Sequence, residues 1–239
     1  KVKDENSLNT INRQTFLWML RFFSAHYNDN WYLSLFKKKG ITGEFSPSYA
    51  MLDKDDIEKM HRLCPDVKLI FILRNPIDRA WSHYRFVKKP DKTKAPPSNA
   101  KILKFLKSEQ QLLRSDYLGT LERYLSFFKP EQICLGFYDA IQENPQELMQ
   151  QIVSFIGGDS KNILDKVDLK KMVNESQRMD IPLEILTYLQ EYYYNDIKSL
   201  SNIYGNYCTN WLNEIEGNQD RNSTENKPTV MAQNNIYKK

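Results

Sequence analysis

The chain has 239 residues, with 34 basic against 30 acidic side chains, a formal net charge of +4 and three cysteines. That length supports one substantial core rather than two full domains, and so small a charge excess excludes a nucleic-acid surface, which needs cations clustered over one face. Cys64, Cys134 and Cys208 show neither metal-ligand spacing nor the even count of a disulfide framework, and no stretch reaches the roughly 20 apolar residues of a membrane helix.

The first ten residues, KVKDENSLNT, are too polar for a signal peptide, so the chain reads as soluble. Thr15 to Phe23 is dense in aromatics, and Trp31, Tyr32 and Phe36 form a second cluster; both are expected to be helical pieces packing on a core. Ile41 to Glu44 is short and extended and ends in the turn-prone Ser46-Pro47-Ser48. Asp53 to Leu63 reads as a helix started by acids. Val67 to Leu73 is apolar enough for a buried parallel strand, and on the helix behind it Ile77, Ala80, Trp81, Tyr84 and Val87 recur at helical spacing. A Lys- and Pro-rich loop, Lys88 to Asn99, leads to helices around Ile102 to Leu106 and Asp116 to Phe128, where Tyr117 and Tyr124 read as core or rim aromatics. Gln132 to Asp139 is a second buried strand, and Asn144, Pro145 and Glu147 open another capped helix that Gly157-Gly158 ends. Pro182 to Leu200 is a long helix, with Trp211 and Leu212 as a last anchor. The domain is expected to span 1–213, and 214–239 is expected to be a polar, disordered tail that offers too little apolar surface to offset the entropy of ordering it. Strand followed by helix, twice, predicts an α/β fold with parallel strands joined by right-handed crossovers.

The chemistry concentrates where Val67 to Leu73 meets Arg74. Ligands of open α/β sheets collect at the carboxyl ends of strands. Asn75 is placed to cap the next helix, Pro76 suits its first turn, and Asp78 stands where a capping box puts its acid. Orphan backbone N–H groups and the positive helix end therefore lie beside a guanidinium, which suits an anion such as phosphate.

Leu73-Arg74-Asn75-Pro76-Ile77-Asp78-Arg79-Ala80-Trp81-Ser82-His83-Tyr84 resembles the 3′-phosphate-binding motif of sulfotransferases that use 3′-phosphoadenosine 5′-phosphosulfate, particularly the carbohydrate, heparan-sulfate-like and bacterial branches. Gly43 to Tyr49 is similar to that family's short strand and turn upstream of the motif, and Tyr117 to Tyr138 to its following helix and strand. Asn174 to Arg178 lies where the family has a loop over the nucleotide. The resemblance implies a three-layer fold like that of P-loop nucleotide hydrolases, a nucleotide donor and a carbohydrate acceptor. Carried over residue by residue, Arg74 and Ser82 hold the 3′-phosphate, Arg178 reaches the nucleotide, Glu44 is the general base, and Tyr49 and His83 line the acceptor pocket. No metal is required.

The family's opening strand and its Lys-, Gly- and Thr-rich loop for the 5′-phosphosulfate are not visible; Lys39 to Gly43 has suitable letters in the wrong place. Met19 stands near where the family often has a Lys-Glu pair. With Lys1 as first residue, lost upstream sequence is expected, together with weak turnover by this chain alone. Two alternatives stay open: a non-catalytic nucleotide-binding relative and a P-loop kinase. The expected compartment is the cytoplasm, or the Golgi lumen if an anchor was removed. Acceptor and oligomeric state are not readable.

Overall fold

The computed structural model describes residues 12–24, 26–36, 39–88, 97–160, 168–169, 179–217 and 230–232. The chain divides into two compact units, Lys1–Phe45 and Ser46–Lys239.

In the first unit, α1 (Arg13–Ser24) and α2 (Asp29–Ser34) are the two expected helical pieces. Asn28 caps α2 by accepting from the Trp31 amide at 2.9 Å. The indoles tie the helices together: Trp31 Nε1 donates to the Arg21 carbonyl and Trp18 Nε1 to that of Leu35. Phe22 stacks on Trp18 with centroids 5.2 Å apart. Within this unit α1 has no buried residue, and Phe23 is 72 % exposed. Two short helices can cover only the inner edges of each other's rings.

The second unit starts with a 3₁₀ turn, Pro47–Met51, and α3 (Lys54–Leu63), capped by Asp53 accepting from the Asp56 amide. Strand β1 (Leu69–Leu73) runs into α4 (Pro76–Lys88), followed by α5 (Asn99–Leu106), α6 (Glu109–Leu113) and α7 (Tyr117–Leu125). Strand β2 (Ile133–Phe137) continues directly into α8 (Tyr138–Glu143), then α9 (Pro145–Phe155), α10 (Leu183–Tyr204) and α11 (Asn206–Glu216). β1 and β2 pair in parallel, with Leu69 opposite Ile133 and Leu73 opposite Phe137. The α/β class and the parallel pair therefore stand as expected. β3 (Val230–Ala232) adds antiparallel to the far side of β2.

Four expectations are corrected. β2 is buried along its whole length, but β1 is not: Ile70 and Ile72 are 38 % and 37 % exposed, because β1 has only one neighbour in the described sheet and alternate side chains face outward. Ile77, Ala80, Trp81 and Tyr84 are buried on α4, but Val87, in its last turn, is exposed. α6 and α8 were not expected. The boundary at 213 falls inside α11, and three residues of the expected tail form β3, whose Val230-Met231-Ala232 run is the apolar exception in that segment.

The core gathers around β2. α4 supplies Trp81 and Tyr84, α10 supplies Ile185, Leu189, Tyr193 and Ile197, and α11 supplies Trp211. Helix α10 packs along α11, α4 and α5. The result is a fixed platform behind the carboxyl ends of β1 and β2.

Candidate functional site

Parallel pairing with Leu73 opposite Phe137 brings the residues that follow the two strands, Arg74 and Tyr138, to the same edge of the sheet. There the Arg74 guanidinium lies over the Tyr138 ring, its Cζ 4.4 Å from the centroid. A cation over an aromatic face is held in orientation as well as in place. Arg74 Nε is buried and has no hydrogen-bond partner among the described residues. A buried guanidinium N–H without an acceptor is costly, and an incoming anion removes that cost.

The backbone around this side chain is pinned. The Arg74 carbonyl accepts from the Tyr117 hydroxyl at 2.8 Å. Burial pushes the Tyr117 phenol up to about 12, against the lowering influence of Arg79 and of its bond to the Arg74 backbone, so it stays a donor through the physiological range. Asn75 is buried and caps α4: its Oδ1 accepts from the Ile77 amide at 3.0 Å, and its Nδ2 faces Glu214 at 3.5 Å. Asp78 is exposed and completes no capping box among the described residues, because Asn75 turns its side chain to the nearer amide. The N-terminus of α4 still presents its remaining amides and positive dipole end beside Arg74.

Arg79, one turn further on, is the same residue type in the opposite condition. Its Nε donates to Ser115 Oγ at 2.5 Å, Nη1 to Gln111 Oε1 at 3.1 Å and Nη2 to the Gln111 carbonyl at 3.0 Å. This fork clips α4 to the α6–α7 connection. His83 joins the same group through Nδ1, 3.0 Å from Gln111 Oε1. Its pKa is lowered by burial and by the neighbouring Arg114 and Arg79 charges, outweighing the Gln111 bond.

The other residues named from sequence distribute as follows. Ser82 is half-buried on α4 and its hydroxyl has no partner among the described residues. Tyr49 lies in the 3₁₀ turn, and its carbonyl accepts from the Tyr124 hydroxyl at 2.9 Å. Tyr117 and Tyr124 are thus more than packing rings. Glu44 belongs to the first unit, where its Oε1 accepts from the Tyr32 hydroxyl at 2.5 Å. Arg178 and the Asn174 to Arg178 segment lie outside the described residues.

Sequence reasoning missed Tyr138, Tyr117 and Gln111. A signal existed for the first: two parallel strands of matching length predict that the residues just past their ends meet. Nothing local marks the other two.

Among the described residues, an unpartnered guanidinium N–H beside a helix N-terminus makes a donor set that suits a phosphate group. Among the described residues there is no group of three or more His, Cys, Asp or Glu side chains arranged to hold a metal ion, and no helix is long and apolar enough to cross a membrane.

Comparison with known proteins gives two findings. The crystal structure of a sulfotransferase from Alicyclobacillus acidocaldarius superposes with a TM-score of 0.56 at 18 % identity, over 81 % of this chain and 77 % of that one, so the two share a fold. No curated protein sequence matches. A family model described as "Sulfotransferase domain" matches residues 17–181, which takes in most of α1, all of α2 through α9 and the whole Arg74 segment. The chain therefore belongs to the sulfotransferase domain family.

Proposed function

We propose that this protein transfers a sulfuryl group from 3′-phosphoadenosine 5′-phosphosulfate to a hydroxyl or amine, the acceptor being a carbohydrate. The observation that carries the donor assignment is the Arg74 guanidinium, stacked on Tyr138 with a buried Nε that has no acceptor among the described residues. In this reading Arg74 holds the 3′-phosphate, with the α4 amides and the Ser82 hydroxyl completing the shell and Arg178 reaching the nucleotide.

The reaction asks for positioning and for cations where charge develops. The acceptor oxygen or nitrogen bonds to sulfur while the bond from sulfur to the bridging phosphate oxygen breaks. The electron pair leaves with adenosine 3′,5′-bisphosphate. The acceptor proton passes to a base, which we assign to Glu44, a carboxylate already oriented by Tyr32. Tyr49 and His83 are assigned to the acceptor side.

Calorimetric titration with adenosine 3′,5′-bisphosphate tests the donor assignment. Arg74→Ala removes a charge-assisted contact of about 1.5–3 kcal/mol, so affinity falls about ten- to a hundredfold. Equal affinity of both proteins refutes it. ATP competing as well as the bisphosphate favours a kinase instead.

A further inference from the structure

We propose that Arg79, His83, Gln111 and Arg114 form a second oxyanion site, separate from the Arg74 cradle, which takes a carboxylate or sulfate carried by the acceptor. This rests on the proposed sulfuryl transfer and narrows its acceptor to an acidic one.

The cluster has three cationic or protonatable groups and no acid. Arg79 gives its hydrogen bonds to a hydroxyl, an amide oxygen and a carbonyl, and Arg114 Nη1 donates to the Pro47 carbonyl at 3.2 Å. Ion pairs among the described residues fall elsewhere, at Lys59–Asp56 and Arg123–Asp116. Like charges held together without a counter-charge are costly, and burial raises that cost. The pKa shifts agree: burial and Arg79 lower Arg114, and burial, Arg114 and Arg79 lower His83.

Two donors in the cluster also have nothing to donate to among the described residues. Gln111 is 2 % exposed, and because its Oε1 already accepts from Arg79 Nη1, its amide cannot be turned around; Nε2 is left buried and unpartnered. Arg114 Nε is in the same condition. The same Oε1 fixes the His83 tautomer. Nδ1 must donate to it, so Nε2 gains a proton, and becomes a donor, when an anion arrives. Arg79, His83 and Arg114 are each only half-buried, so solvent reaches the cluster. The Arg79 fork alone accounts for holding α4 to α6. It does not account for the two orphaned N–H groups or for a second arginine placed beside the first.

The test follows the His83 imidazole by NMR through a pH titration, in saturating adenosine 3′,5′-bisphosphate so that the Arg74 cradle is filled. Glucuronate and glucose 6-sulfate are the probes, and glucose is the neutral control. An acidic sugar raises the His83 midpoint by about one unit and glucose does not. Arg114→Gln abolishes the rise, and Arg114→Lys, which keeps the charge, restores most of it. The stronger of the two acidic probes identifies carboxylate or sulfate. No rise with either, an undiminished rise in Arg114→Gln, or a rise seen only without the bisphosphate overturns the site. If the bisphosphate fails to bind by calorimetry while the acidic sugar still shifts His83, the donor assignment falls and the second site stands.

Discussion

Tyr117→Phe isolates what holds the end of β1 in place. The substitution keeps the ring and removes one hydroxyl, which donates to the Arg74 carbonyl at 2.8 Å. That carbonyl lies where the strand has ended and α4 has not begun, so no backbone ladder reclaims it. Leaving a buried acceptor unpaired costs about 1–3 kcal/mol. For a domain of this size each kcal/mol moves Tm by about 2–4 °C, so a central value of about 2 kcal/mol lowers it by about 4–8 °C in calorimetry or circular dichroism. The loss is the same from pH 6 to 9, because the phenol, pushed up to about 12, is protonated throughout. Its folded pKa lies above its unfolded value, so wild-type stability falls as pH rises past the unfolded value near 10, and Tyr117→Phe lacks that fall. Affinity for adenosine 3′,5′-bisphosphate weakens as well, since the freed carbonyl lets Arg74 drift. A melting point within a degree of wild type refutes the pinning.

Asn75→Ala removes the α4 cap and is expected to cost about 0.5–2 kcal/mol, read as a lower urea midpoint with unchanged slope. Asp139→Asn is expected to stabilise the protein at neutral pH. Burial raises the Asp139 pKa more than the Trp211 bond lowers it, so the folded value lies above the unfolded one and stability is lost as pH rises through it; the amide oxygen still accepts from Trp211, and urea unfolding at pH 4 and 7 reads the difference. Cys134 and Cys208 are buried, with thiols pushed up to about 12, so neither reacts with a thiol reagent at pH 8 until the protein is unfolded.

The parts legible in the sequence are those set by local rules. An apolar run ended by Arg74, Asn75 and Pro76 could only be a strand turning into a helix, and Asn144-Pro145 repeated the signal. What escaped reading was set by neighbours. In Val67 to Leu73 the one polar residue, Lys68, shares a face with Ile70 and Ile72 and hints that this face lies outward, but the two isoleucines mask the alternation, and how exposed they are depends on what flanks the strand. α8 follows β2 with no Gly, Pro or cap between them, and hence no punctuation to read. α6 is a single turn or so, too short for periodicity. Gln111 looks like a surface glutamine in Glu109-Gln110-Gln111, and only the fold buries it under Arg79.

The contrast between Arg74 and Arg79 shows why a motif needs coordinates to become a site. Both arginines flank the same helix start and read alike in sequence. The clip around Arg79 consumes each type of guanidinium nitrogen on neutral oxygens within the protein, so an anion there must be reached through its neighbours His83, Gln111 and Arg114. Arg74 lies over a ring face, which orients the guanidinium without accepting a hydrogen bond, and among the described residues its Nε stays buried and unpaired. Stability alone does not favour keeping such a group, because a buried unsatisfied donor costs more than an apolar side chain of the same reach. A ligand that completes the hydrogen bonds supplies the reason to retain it. The same logic, applied to the orphaned N–H groups of Gln111 and Arg114, underlies the proposal of a second anion site beside the flank of α4, distinct from the one proposed at its start.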